Sequence, residues 1–135
     1  MVFLTTNCIM EDFDLWEINL LRSLEDLSDL EMQKLSWSGN HPEIVFSFTE
    51  ALAAVYDDFD FEEYIVRYKS IHGEDGYYAL LVELDTRLEA FQKDGYRMEE
   101  SGGYQEILND VRWKQITEIA KKITDAFRKG LAQQG

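Results

Sequence analysis

The chain has 135 residues, 45% of them hydrophobic and 13% aromatic, enough for one cored domain and too apolar for a disordered chain. No apolar run approaches the roughly 18 residues that a membrane-spanning helix needs. With 27 acidic and 13 basic residues the net charge is −14, a field that repels nucleic acid and anionic lipid and attracts cationic proteins.

The acidity is uneven. Residues 1–100 hold 23 acidic and 7 basic residues, whereas residues 101–135 hold 4 and 6. The single cysteine, Cys8, rules out an intramolecular disulfide and implies a reducing compartment. Residues 1–10 carry no basic residue that would open a signal peptide, so a cytoplasmic location is expected.

Taken in order, residues 1–10 read as an irregular arm. Asp12 or Asp14 can cap a first helix, in which Trp16, Leu20, Leu24 and Leu27 form one apolar stripe with Leu21 beside it. Ser28 and Glu31 have the spacing of a capping box that starts a second, shorter helix carrying Leu30, Leu35 and Trp37. A turn at residues 38–42 places Pro42 at the first position of a third helix, with Val45, Phe48, Leu52 and Val55 inward. Residues 64–71 are β-prone by composition, yet Phe61, Tyr64, Ile65, Tyr68 and Ile71 also fit one helical face. The helical reading is preferred because no partner strand is evident.

A glycine loop at residues 72–76 precedes a helix over residues 77–93, with Leu80, Leu81, Leu84, Leu88 and Phe91 inward and Gly95 as its stop. After Ser101-Gly102-Gly103 a long last helix spans residues 104–129. Its inward residues are Ile107, Leu108, Val111, Ile116, Ile119, Ile123 and Phe127. Gly130 closes it and leaves residues 131–135 as a frayed tail. The fold expected is all-α, a single-domain bundle of five or six helices with a long C-terminal helix.

Residues 56–63, Tyr-Asp-Asp-Phe-Asp-Phe-Glu-Glu, followed by Tyr64, set five carboxylates among four rings. The acids repel one another and need water or a cation, whereas the rings favour burial. An EF-hand loop from Asp58, Asp60 and Glu62 fails, because Glu63 stands where glycine is required and Lys69 where a bidentate glutamate is. His41 and His72 lack ligand spacing for zinc, and nothing in the sequence pairs either with Cys8 for nucleophilic catalysis. No metal, no cofactor and no enzymatic activity are expected. Trp16 and Trp37 read as core. Trp113, between Arg112 and Lys114, falls off the stripe and reads as a surface anchor.

Tyrosine beside carboxylate suits arginine-rich surfaces, since the acid pairs with the guanidinium and the ring stacks on it. Two such patches stand out: Tyr56, Asp57, Asp58, Asp60, Glu62, Glu63 and Tyr64, then Glu74, Asp75, Tyr77 and Tyr78. With these stretches the chain resembles the small acidic immunity proteins of bacterial toxin systems, including contact-dependent growth inhibition. The resemblance is one of type, without an aligned motif. It implies a cognate toxin domain with a basic surface, bound and blocked inside the cell. The competing expectation is a helical adaptor that dimerises through its last helix, with acidity serving solubility.

Overall fold

A computed structural model describes residues 2–37 and 47–134, with side chains from 13–37 and 47–130. Among the described residues there are seven helices and no strand: α1 Val2–Ser28, α2 Leu30–Trp37, α3 Phe48–Ala53, α4 Phe61–His72, α5 Gly76–Glu100, α6 Tyr104–Asn109 and α7 Val111–Gln134. No described helix is long and apolar enough to cross a membrane. The all-α expectation holds. Residues 64–71 are helical, and Phe61, Tyr64, Ile65 and Tyr68 are buried on one face of α4. Pro42, His41 and Val45 lie outside the described residues.

α7 packs against both α1 and α5, and α4 folds back on α5. The stripe Leu20, Leu21, Leu24 and Leu27 of α1 is buried as its periodicity requires. Several boundaries differ from those expected. α1 begins at Val2, so residues 2–10 are helical where an irregular arm was expected, and neither Asp12 nor Asp14 starts the helix. The cap of α2 is Asp29, whose Oδ1 accepts from the Met32 amide at 3.0 Å. Ser28 instead donates to the Glu25 carbonyl at 2.7 Å, so no capping box forms. α2 buries Gln33 and Ser36, while Leu35 is 51% exposed.

α5 runs seven residues past its expected end at residue 93, straight through Gly95. Gly95 serves close approach here, not termination. A Cβ at this position would overlap the Phe48 ring. That ring is fully buried and meets Trp37, Phe91, Tyr96 and Trp113 at centroid distances of 5.4 to 6.1 Å. It cannot yield without displacing four other rings. Gly95→Ala should therefore destabilise the domain by about 2–3 kcal/mol, the cost of overpacking a dense core, read by urea denaturation. A change below about 0.5 kcal/mol would mean the helices separate freely at this crossing.

A long last helix is present, α7, but the expected span of residues 104–129 is divided between α6 and α7. Asp110 leaves the helical conformation and caps α7, its Oδ1 accepting from the Arg112 amide at 2.8 Å. Its carboxylate also holds the Arg112 guanidinium at 2.8 Å, and Asp94 holds the same group at 2.9 Å. The break changes the placement of the residues beside it, while Ile116, Ile119 and Ile123 further along are buried as expected. Val111, expected inside, is 65% exposed, and Trp113, expected at the surface, is 0% exposed. α7 then continues through Gly130 to Gln134, where a frayed tail was expected.

Candidate protein-binding surface

Between α3 and α4 the backbone departs from regular helix twice. Ala54–Asp58 forms a π turn, closed by the Phe59 amide on the Ala54 carbonyl at 3.0 Å. Asp60 then adopts a left-handed conformation at φ 47°, rare outside glycine, asparagine and aspartate. The two irregularities resolve the conflict between acids and rings. Val55, Phe61 and Tyr64 enter the core, and Tyr56 and Phe59 pack on its edge. Asp57, Asp58, Asp60, Glu62 and Glu63 are exposed. Trp16 pins the corner from α1, its indole N–H donating to the Phe59 carbonyl at 2.6 Å.

The tyrosines of this stretch are therefore not free to stack on a partner. Tyr64 is 0% exposed, and its hydroxyl donates to Glu17 Oε2 at 2.6 Å. Tyr56 is half-buried and donates to Asp85 Oδ1 at 2.8 Å. Burial first, then the Asp85 carboxylate, pushes its phenol far above the ordinary range, so Tyr56 is a permanent donor.

The Tyr56–Asp85 bond brings α5 into the site. Glu62, Asp85 and Glu89 each offer a carboxylate oxygen within 4.8 Å of the others. Glu62 stands in the first turn of α4, while Asp85 and Glu89 are one turn apart on α5. The Asp85 charge, then desolvation and Glu62, raise the Glu89 carboxyl above its ordinary value. Three acids this close can share a cation, whether a metal ion or a guanidinium or ammonium group. Asp85 and Glu89 lie 22 or more residues downstream of Glu62–Glu63, and no local sequence signal connects them to the acidic stretch.

The second expected patch is elsewhere. α4 has 12 residues, which sets its C-terminal end about 18 Å from its start. There Asp75 caps α5, accepting from the Tyr78 amide at 2.8 Å, and also accepts from the Tyr68 hydroxyl at 2.7 Å. Glu74 pairs with Lys69 at 3.5 Å, and that ammonium lies 6.0 Å from the centroid of the half-buried Tyr78 ring. Tyr77 packs on the core 4.9 Å from Tyr68. These four residues serve local structure, and only the first patch, enlarged by Asp85 and Glu89, forms an open acidic surface. His72 stacks on Tyr68 at 4.6 Å.

One open groove of about 420 Å³ runs between α7 and the α1–α2 junction, lined by Glu25, Asp29, Glu31, Lys121, Asp125 and Arg128 among others. Arg128 pairs with Glu25 there at 2.6 Å. Comparison with protein-family models, with characterised proteins and with solved structures finds no match to this chain.

Proposed function

We propose that this chain is an acidic protein-binding module, acting in the cytoplasm, that neutralises a basic partner by covering its anion-binding surface. It would act as small acidic immunity proteins act on toxin nucleases. One observation carries this reading. Glu25, Glu31, Glu63, Glu74, Glu83, Asp94 and Asp110 each pair with a lysine or arginine. Asp57, Asp58, Asp60, Glu62, Asp85 and Glu89 pair with none among the described residues. They gather where the π turn and α4 meet α5, a local cluster of uncompensated charge, whereas other unpaired acids among the described residues, such as Asp14, Glu50, Glu100, Glu106 and Glu118, are spread over α1, α3, α5, α6 and α7. Like charges so placed work against folding and are relieved by a cationic surface.

Self-association through the last helix has less to rest on. α7 turns Trp113, Ile116, Ile119, Ala120 and Ile123 inward. Outward it shows Arg112, Lys114, Gln115, Glu118, Lys121, Lys122 and Asp125, which are not the apolar seam of a helical dimer.

Steering by such a surface has a kinetic signature. With a basic partner identified by capture and then purified, the association rate should fall about tenfold or more between roughly 50 and 300 mM salt, with little change in dissociation. Stopped-flow or biosensor kinetics reads both rates. An association rate indifferent to salt would remove the electrostatic account. A concentration-dependent homodimer without any heterologous partner would favour the adaptor reading.

A further inference from the structure

The acidic surface leaves one half-buried carboxyl out of account. Glu17 lies on α1 beside Trp16 and is surrounded by rings instead of bases. Tyr64 donates to it at 2.6 Å, and the Tyr64 ring stacks on Phe13 at 6.0 Å and meets Trp16 edge-on at 5.9 Å. From α4 it faces Tyr64, Tyr68 and His72, from α5 the buried Tyr77 hydroxyl, and from α1 itself Asp14. Among the described residues no lysine or arginine pairs with it. The ionised form thus has one good hydrogen bond, a like charge nearby and reduced access to water. Burial first, and Asp14 after it, lift the carboxyl above its ordinary 4.5, against the opposing Tyr64 bond and His72.

We propose that Glu17 is a proton-operated latch between the first helix and the α4–α5 hairpin. Protonated, it keeps the Tyr64 O–H on its carbonyl oxygen, no longer repels Asp14, and has a proton to offer the hydroxyl oxygens around it. Ionised, it strengthens the Tyr64 bond but holds a charge among aromatic rings beside Asp14 with no base to pair with, and on balance the seat of α1 loosens. A carboxyl whose folded pKa lies above its unfolded one stabilises the fold while protonated. That contribution is complete below the unfolded value and is lost as pH rises through the higher folded value. The latch closes in acid and relaxes toward neutrality, the reverse of a salt-bridged carboxylate.

The test is urea unfolding of the full chain from pH 4 to 8 for the wild type, Glu17→Gln and Glu118→Gln. The last removes the same charge from the exposed face of α7 and controls for net repulsion. The ratio of the folding constant of E17Q to that of the wild type should rise about threefold or more across this range, while the E118Q ratio changes less. Carbon-13 titration of the wild-type Glu17 carboxyl should give a midpoint above 4.5 and keeps the proposal falsifiable should E17Q fail to fold. Hydrogen exchange, corrected for intrinsic rate, should show amides 14–20 opening more at pH 7 than at pH 5, relative to those of α7. A constant E17Q ratio, a midpoint at or below 4.5, or parallel opening of α1 and α7 would each overturn it.

Discussion

Replacing Gln33 by alanine should destabilise the domain by about 3–4 kcal/mol, far more than an average polar-to-alanine change. Gln33 is 0% exposed and joins three helices through one amide. Its Nε2 donates to the Asp26 and Leu27 carbonyls, at 3.0 and 2.9 Å, at the C-terminal end of α1. Its Oε1 accepts from the Trp113 indole N–H at 3.0 Å. Truncation leaves a buried donor unmatched, strands helix-end carbonyls, and opens a cavity beside the Trp37–Phe48–Trp113 cluster. Gln33→Glu keeps the shape but sets a buried carboxylate oxygen against the two carbonyl oxygens, so at neutral pH it should recover none of the loss. Thermal unfolding should show a drop of about 10 °C for Gln33→Ala. A loss under about 1 kcal/mol would mean that water replaces the amide and that α2 is not tied to α1 and α7 by this residue.

The Gln33–Trp113 pair also shows why part of this fold could not be read in advance. Apolar periodicity located the leucine stripe of α1, the inner face of α4 and the start of α5, because those helices are uninterrupted and their inner faces are hydrophobic. It misplaced Val111 and Trp113, which follow the break that Asp110 makes by capping instead of continuing the helix, whereas Ile116, Ile119 and Ile123 stay inward as expected. It passed over Gln33 because a buried amide looks like a surface residue until its three partners are known. Gly95 looked like a stop because glycine ends helices more often than it admits a neighbouring ring.

The candidate surface was legible in one half only. The acids of residues 57–63 were found because they are consecutive. Asp85 was missed because it joins through the hydroxyl of a tyrosine 29 residues away, and Glu89 because it joins only by its proximity to Asp85 and Glu62. The rings of Tyr56 and Tyr64 were assigned to a partner because exposure cannot be read from composition. Their hydroxyls are given to Asp85 and Glu17 instead. What the surface offers a partner is therefore carboxylate without aromatic stacking from these two residues.

Charge reversal at the centre of that surface should have the largest effect on binding. Asp57 and Asp58 are exposed and unpaired among the described residues, so Asp57→Lys with Asp58→Lys should fold with unchanged helix content. The reduced repulsion should leave the melting temperature equal or higher. The control must change net charge equally and disturb nothing else. Glu25 is unsuitable because Arg128 is bound to it at 2.6 Å, whereas Glu100 and Glu118 are exposed and belong neither to residues 57–63 nor to the Glu62–Asp85–Glu89 cluster. The decisive measurement is the dissociation constant of the purified basic partner, by calorimetry at one salt concentration, for the wild type and these two double reversals. The patch reversal should weaken binding by about 30-fold or more, equivalent to at least about 2 kcal/mol, the loss expected when paired interfacial charges are broken, and the control by no more than a few-fold. Equal weakening by both would show that net charge alone attracts the partner, and no weakening by the patch reversal would place the binding surface elsewhere on the molecule.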